Sequence, residues 1–289
     1  MTGSFTSKII EVQFTLSRGL FAGTDSNSVV LRGLRTHVEV EKGGVPMKCS
    51  AKVKIYGMSK SLISQLTMLT FNALSARRNL IEVRAGDSDG LSTVFIGEIT
   101  GAWANYATPP DLYFEVQALT GFYASIAPSD PTSISGGVPV VDMMRSLANR
   151  MGYTFEDNGV TAVVANPYLS GSLFNQAETL ARMANIDFAV TDNVMFITPA
   201  NQPRKGGVTP VLTPQTGLRE YPISDNRLMT FKSIFNPVFD IWRVVEVRNS
   251  EIDQANGVWR VLGLKHKLSS RSHQQNAWFS ELIAAKVGG

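Results

Sequence analysis

The middle of this chain carries a short amphipathic helix that runs directly into a tight hairpin, between two regions rich in predicted strands. The helix covers residues 173–185, and its apolar positions recur at helical spacing: Leu173, Ala177, Leu180, Ala181 and Ala184. Two strands, residues 187–190 and 194–198, are then predicted to pair across residues 191–193. Because the flanking regions show no sign of chemistry, this arrangement favours a part of an interlocking assembly over a catalyst.

The first strand-rich region shows its clearest pattern over residues 45–56, where apolar and polar side chains alternate. One face carries Cys49, Ala51, Val53 and Ile55, and the other carries Lys48, Ser50, Lys52 and Lys54. A period of two predicts a half-buried antiparallel strand. Residues 41–44 read Glu-Lys-Gly-Gly, and they are predicted to form a hairpin loop because glycine adopts positive φ at low cost.

Further strands and one helix complete the first region. Turn-like segments separate the other predicted strands, which cover residues 8–16, 29–34, 37–40, 80–85, 93–100 and 112–119. Residues 59–74 are predicted to form a helix with an apolar face made of Leu62, Leu66, Leu69 and Ala73. The pattern is that of a strand meander with one helix packed on it.

The strand-like alternation of the first region stops near residue 120, and a strand-rich pattern returns after residue 200. Residues 126–137 are rich in Ser, Pro and Gly and are predicted to be a linker, and residues 138–151 to be a helix that stops at Gly152. A second linker is predicted at residues 201–207. The last strands are predicted at residues 228–235, 241–248, 257–268 and 277–286, with the short spacing of a sandwich or barrel.

These elements predict an α+β fold that is mainly β, with two barrel-like antiparallel β domains and a small α+β insert between them. The first β domain, with its packed helix, is assigned to residues 1–120. The insert, with two helices and a hairpin, is assigned to residues 121–200. The second β domain takes residues 201–289.

Composition excludes several classes of protein. The net charge of +3 is too small to indicate nucleic-acid binding. The single cysteine, Cys49, rules out an intrachain disulfide and a cysteine-rich zinc site, and it is predicted to be a small packing residue. Neither a secretory signal nor an apolar span of about 18 residues is visible. We therefore expect a protein that stays in the reducing cytoplasm or leaves it only as part of something larger.

No catalytic, metal-binding or cofactor-binding motif is visible. The three histidines, His37, His266 and His273, lack partners at ligand spacing, and His266 is expected to take a surface or hairpin position. Nucleophile-elbow, phosphate-binding and dinucleotide-binding patterns are absent. We therefore predict no catalytic residue, no metal and no cofactor.

Two pairs of carboxylates could in principle support glycan hydrolysis, and they are Glu98 with Asp111 and Glu178 with Asp187. Nothing in the sequence brings either pair into one cleft. A peptidoglycan hydrolase is therefore kept only as an alternative.

Large aromatic residues cluster in two places. Trp103 and Tyr106 follow a predicted strand, and Phe235, Phe239 and Trp242 crowd a segment interrupted by an Asn-Pro step. A domain core would explain them, and so would a subunit interface, where such residues are enriched. All five are candidate interface residues. A carbohydrate-binding module with Trp103 and Tyr106 in a shallow groove is the alternative.

Four segments of the chain form a recognisable series. The first covers residues 81–99 and reads Ile-Glu-Val-Arg-Ala-Gly and then Val-Phe-Ile-Gly-Glu-Ile, and the second is the strand at residues 111–118. The third is Ala-Glu-Thr-Leu-Ala-Arg-Met-Ala at residues 177–184, with the hairpin that follows it. The fourth pairs residues 257–268 with residues 278–284 as a closing hairpin. In order and texture they resemble the baseplate hub proteins of contractile-tailed phages. That family includes the T-even hub, the hub portion of VgrG-type spike proteins and the late-control D proteins. The resemblance covers nearly the whole chain.

The resemblance implies a homotrimer in which three chains, each with two barrel-like domains, form a ring of pseudo-sixfold symmetry. Such a ring adapts the sixfold tail tube to a threefold spike, and DNA passes through its lumen without sequence-specific binding. The chain ends at Gly289 without a spike or lysozyme extension, so a separate central spike protein is expected. The other implied partners are the tail tube protein, the tape-measure protein and other baseplate proteins. The implied location is the virion, after assembly in the host cytoplasm and without membrane insertion by this chain.

Overall fold

The structure is a computed structural model that describes residues 7–67, 78–107, 111–225, 228–271 and 277–287. The first region contains β1 (Ile9–Thr15), β2 (Ser28–Arg32), β3 (Thr36–Gly43), β4 (Ser50–Tyr56), α1 (Lys60–Leu66), β5 (Leu80–Asp87), β6 (Gly90–Asn105) and β7 (Tyr113–Leu119). The insert contains α2 (Phe122–Ile126), β8 (Thr132–Ser133), β9 (Gly137–Pro139), α3 (Val140–Met151), β10 (Thr154–Asp157), β11 (Val163–Ala165), β12 (Tyr168–Leu169), α4 (Leu173–Ala184), β13 (Ile186–Thr191) and β14 (Val194–Pro199). The last region contains β15 (Val211–Leu212), β16 (Leu218–Asp225), β17 (Leu228–Ile234), β18 (Val244–Val247), a 3-10 helix (Asp253–Ala255), β19 (Gly257–Ser270) and β20 (Trp278–Lys286).

A single sheet of 13 strands joins the two ends of the chain. Its main path is β16-β17-β20-β19-β3-β4-β7-β6-β5-β1-β2, and β18 and β15 attach beside β19. The link between the ends is the antiparallel pairing of β3 with β19, in which Thr36 lies opposite Ser270 and Gly43 opposite Gly263. The prediction of an α+β fold that is mainly β is confirmed. The shared sheet makes one connected body of the two strand-rich ends.

Three hydrophobic cores lie along this body. The first is enclosed by strands of the first region and includes Phe14 and Phe95, and the last region adds Phe235 and Leu268 to it. In the insert, α3 and α4 pack on the hairpin of β13 and β14 to form the second core. The third core belongs to the last region and receives Phe196 from β14. The predicted boundaries at residues 120 and 200 stay predictions.

The two helices and the hairpin predicted for the insert are present as α3, α4 and the pair β13–β14. The prediction missed α2 and the strand β10, which pairs with β14. Gly152 ends α3 with φ of +83°, and the Ser172 side chain accepts a hydrogen bond from the Asn175 amide at the start of α4. The predicted linker at residues 126–137 is wrong in part, since β8 pairs with β12 and β9 pairs with β11. These strands are two or three residues long, which is too short for an alternating pattern to show.

The first region differs from its prediction around the turn between β3 and β4, and the strand predicted at residues 45–56 begins only at Ser50. Residues 41–44 were expected to form a hairpin loop, but β3 continues to Gly43, and the turn follows with the Met47 amide donating to the Gly44 carbonyl at 2.9 Å. Pairing with β19 extends β3 beyond the point where its pairing with β4 stops. The predicted helix at residues 59–74 is present as α1, but it ends at Leu66, where the extended Thr67 is its C-cap and donates its amide to the Ile63 carbonyl. Leu69, Ala73 and His273 lie outside the described residues.

Strand predictions in the last region are confirmed for β17, β19 and β20 within a few residues. The strand expected at residues 241–248 is shorter, because only Val244–Val247 pairs with a neighbour. Ile241 and Trp242 instead form a turn that enters the third core. The edge strand β16 was not predicted.

Candidate assembly surfaces and the joint between the regions

Two of the five aromatic residues predicted at a subunit interface have exposed side chains. Trp103, near the end of β6, is 38% exposed, and Tyr106, just after β6, is 59% exposed. Phe235 is buried in the first core, and Phe239 and Trp242 are buried in the third. An interface role stays a prediction for all five, and among them Trp103 and Tyr106 are the residues that offer surface to a partner.

The Trp103 ring is held in place by its own strand. A Cβ on Gly101 would lie 2.9 Å from the ring, so the indole covers the bare backbone of this glycine. In register, Trp103 lies opposite Glu115 of β7 and Gly101 lies opposite Gln117. This end of the sheet therefore displays a positioned aromatic ring beside polar side chains, which is a suitable anchor for a protein contact.

Trp242 connects all three regions within one subunit. Its backbone has φ of +59°, and its ring packs edge-on against Phe196 of the insert, with ring centres 5.2 Å apart. A Cβ on Gly44, in the turn after β3, would overlap the Trp242 ring. The Trp242 carbonyl accepts a hydrogen bond from the Arg204 amide at 2.8 Å. Positive φ is costly for a bulky residue, so the surrounding packing holds this conformation.

A cluster of charged side chains lies at the same joint. Lys42, which is 5% exposed, donates to Asp192 and lies 3.7 Å from an Asp240 oxygen. The Arg204 guanidinium donates to Asp240 at 2.7 Å and to both carboxylate oxygens of Glu156 at 2.7 and 3.0 Å. Lys42 comes from the first region, Asp192 and Glu156 from the insert, and Arg204 and Asp240 from the last region. The cluster therefore links all three by charge-assisted hydrogen bonds.

Burial and pairing act in opposite directions on these groups. Burial alone would lower the pKa of Lys42, but Asp240 and Asp192 outweigh it and raise that pKa above its ordinary value. Burial raises the pKa of Asp192, and the nearby Lys42 only partly offsets it. For Asp240, Lys42 and Arg204 together overcome burial and lower the pKa. Lys42 and Asp240 are thus held in their charged forms, and each keeps a second partner, Asp192 for Lys42 and Arg204 for Asp240.

This cluster was not predicted from the sequence, although a signal for it exists. Val38 and Val40 point into the first core, and Lys42 is the next residue on the same face of β3. A lysine at an inward position requires a buried carboxylate partner. Because residues 41–44 were assigned to a loop, the inward position of Lys42 on β3 was not recognised.

The first pair of candidate catalytic carboxylates, Glu98 and Asp111, takes part in two separate sets of contacts. Glu98 is 4% exposed, accepts a hydrogen bond from Arg78 Nε at 2.8 Å, and also binds the amide of Tyr123 at the start of α2. Asp111 is exposed and forms an ion pair with Arg35. Both carboxylates therefore have structural partners.

The second pair, Glu178 and Asp187, lines one cleft of about 470 Å³ beside Trp242. Asp187 forms an ion pair with Arg260 at 3.2 Å and accepts a hydrogen bond from the Asn201 amide at 2.9 Å. The sequence did not place these two residues together, but the fold does. The contacts of Asp187 tie the insert to β19.

His266 and Cys49 both lie in the interior. The expected surface position of His266 is wrong, because the residue is 2% exposed. The hairpin position is confirmed: His266 lies opposite Ser280 in the pairing of β19 with β20, and its Nδ1 lies 2.8 Å from the Ser280 hydroxyl. Burial lowers the pKa of His266 to about 3. Cys49 is 1% exposed, which confirms it as a packing residue, and burial raises its pKa to about 12.

The exposed face of the shared sheet carries alternating charges. Neighbouring strands place opposite charges side by side in two rows, Lys232–Glu281–Lys265–Glu41 and Lys267–Glu39–Lys52. The rows cross the pairing of β3 with β19, and Lys265 bonds Glu41 across it at 2.6 Å. A groove of about 740 Å³ runs over the same face. Cross-strand charge pairs of this kind fix the register at the junction.

Within the described ranges, no group of three or more His, Cys, Asp or Glu residues is arranged to hold a metal ion. In the same part of the chain, no helix is long and apolar enough to cross a membrane.

Solved structures with the same fold are tail proteins and a secretion-system component. A tail protein from Neisseria meningitidis MC58 has a TM-score of 0.60 at 10% identity, with 96% of this chain and 97% of that chain covered. The prophage MuSo2 43 kDa tail protein from Shewanella oneidensis has a TM-score of 0.59 at 11% identity, with 96% of each chain covered. An E. coli component of the type VI secretion system, described as similar to the T4 tail proteins gp27 and gp5, has a TM-score of 0.59 at 11% identity over 94% of this chain and 76% of that one.

The fold is therefore that of phage-tail structural proteins and their secretion-system counterparts. The sequence itself matches the Baseplate hub gp41 family over residues 9–278. The chain belongs to this family, which confirms the resemblance to baseplate hub proteins. Among curated proteins, no sequence matches the chain significantly.

Proposed function

We propose that this chain is the non-catalytic hub of a phage baseplate, in which three copies form a ring of pseudo-sixfold symmetry. The ring joins the sixfold tail tube to a separate threefold central spike, and DNA passes through its lumen without sequence-specific binding. The family membership supports the hub role. The trimer, the ring and the two attachments are our proposal.

One observation carries this proposal. Each subunit has two strand-rich ends with separate cores, and a single sheet connects them into one body. Two β units in one chain give six positions when three chains close into a ring. Trp103 and Tyr106 are the exposed aromatic residues that we propose for the contact between subunits.

The remaining partners follow from the same role. A hub at the end of a tail tube meets the tube protein, the spike protein, the tape-measure protein and other baseplate proteins. We propose a location in the virion after assembly in the host cytoplasm, with neither a cofactor nor insertion of this chain into a membrane. A ring with these tasks needs no catalytic group.

The solution mass across a dilution series tests the proposal. Light scattering is measured on the purified protein alone and after addition of the tail tube protein. A trimer, either alone or with the tube protein, is the expected result. A protein that stays monomeric under both conditions would contradict the hub, and glycan-array binding that is lost on Trp103→Ala would then favour the carbohydrate-binding alternative.

A further inference from the structure

A groove of about 740 Å³ crosses β20, β19, β3 and β4 on the exposed face of the shared sheet, and we call it the basic groove. Its charged lining residues are Lys52, Lys54, Lys267 and Glu39. Cations thus outnumber carboxylates along its walls. The volume lies within the range of ordinary ligand sites, about 300–1,000 Å³.

Lys54 provides the groove with a cation that has no ion-pair partner among the described residues. Its partner in register is Glu115, but the Glu115 carboxylate is bound by Lys52 at 3.0 Å. The Lys54 ammonium lies instead over the Tyr113 ring, 4.9 Å from its centre, and forms no ion pair with any residue that the structure describes. Burial, then Arg35 and then Lys54 lower the pKa of the neighbouring His37. The local field at this wall is therefore positive.

Lys267 forms the second cationic wall. Its nearest carboxylate is Glu281, at 3.7 Å, which is a loose contact. In register, Glu39 lies between Lys267 and Lys52, and within the described ranges it forms no ion pair with either of them. Glu39 therefore lowers the positive potential of the groove, but it neutralises neither lysine through an ion pair.

Each of the aromatic rings Tyr56 and Phe279 at the groove has a cation close to it, which disfavours stacking of a base there. Arg35 lies 3.6 Å above the centre of the Tyr56 ring, and Lys267 lies 5.6 Å from the centre of the Phe279 ring. Nucleic-acid bases stack on exposed ring faces, and a duplex requires a continuous basic surface. Here cations lie close to the rings and glutamates interrupt the basic rows. Carboxylates spaced along a peptide fit this surface better than bases or a phosphate backbone.

We propose that the basic groove binds an extended acidic segment of a partner protein, with carboxylates at Lys54 and Lys267. The groove spans four strands, and three strand spacings of ~4.8 Å make about 14 Å. An extended segment rises ~3.3 Å per residue, so about four residues cover that length. Lys54 and Trp103 both lie opposite Glu115, from the two sides of β7, so the groove borders the proposed subunit contact. The two proposals are distinguished by their readouts, which are peptide binding for the groove and solution mass for the ring.

Fluorescence anisotropy with a dye-labelled hexaglutamate peptide tests this binding on the full chain at low salt. Saturable binding is expected, and Lys54→Gln and Lys267→Gln should each weaken it about fivefold, as exposed charge pairs permit. Glu39→Gln should tighten binding, because it removes a repelling carboxylate. Lys60→Gln, on α1 outside the groove, is the matched control and should have no effect.

Three results would overturn the proposal. The first is the absence of saturable binding. The second is equal weakening by Lys60→Gln and Lys54→Gln, which would indicate a diffuse charge effect. The third is tighter binding of a heptathymidine oligonucleotide that the same two lysine variants abolish, which would assign the groove to nucleic acid. Thermal unfolding of each variant separates misfolding from lost contacts, and a gain of affinity in Glu39→Gln cannot arise from misfolding.

Discussion

At the scale of single residues, Lys42 holds the joint between the three regions by its contacts with Asp192 and Asp240. Lys42→Met removes the ammonium between the half-buried carboxylates of Asp192 and Asp240; Asp240 keeps its ion pair with Arg204, and Asp192 loses its bond to Lys42. We expect the free energy of unfolding to fall by about 3–5 kcal/mol. Urea unfolding measures it, with Lys60→Met on exposed α1 as a control that should change it by less than about 0.5 kcal/mol. Similar small effects of both substitutions would refute the structural role of Lys42.

His266 should make stability depend on pH near neutrality. Because burial lowers its folded-state pKa from 6.5 to about 3, the unfolded chain takes up a proton that the folded chain refuses. Stability therefore falls as the pH drops below 6.5 towards 3. Between about pH 7 and about pH 5 this term amounts to roughly 2 kcal/mol. His266→Gln keeps a polar group near Ser280 but does not titrate. Urea unfolding of this variant should therefore show a smaller loss of stability between about pH 7 and about pH 5 than the parent protein shows. The same pH dependence in both proteins would contradict the assignment to His266.

At the scale of elements, the turn between β3 and β4 depends on close contact with Trp242. A Cβ on Gly44 would overlap the Trp242 ring, so Gly44→Ala must push the turn away from the insert and the third core. We expect a loss of about 1–3 kcal/mol of stability, as for other overpacked sites. Gly90→Ala is the matched control, because no atom lies within 4 Å of a Cβ there. Equal midpoints of thermal unfolding for both variants would contradict the prediction, because they would show that the turn shifts to accommodate the added Cβ without a loss of stability.

Local elements could be predicted where a pattern repeats along the chain. The alternation of Ala51, Val53 and Ile55 marks β4, and Gly152 marks the end of α3. The pairing of β3 with β19 has no such signal, since Lys265 and Glu41 are 224 residues apart in sequence. The buried charge cluster depends on that long-range geometry. It could therefore be predicted only in part, from the inward position of Lys42.

At the scale of the whole molecule, the shared sheet joins the two ends of the chain into one subunit, and we propose that the exposed aromatic residues Trp103 and Tyr106 supply its contacts. If Trp103 and Tyr106 anchor the subunit interface of the proposed ring, the double variant Trp103→Ser, Tyr106→Ser should weaken trimerisation about 30-fold, the effect of a hot spot. Both side chains are exposed, so thermal unfolding of the isolated subunit should stay unchanged. Tyr168→Ser, on β12 of the insert and 64% exposed, is the control. Light scattering across a dilution series measures the shift, and a double variant that trimerises like the parent protein would move the interface elsewhere.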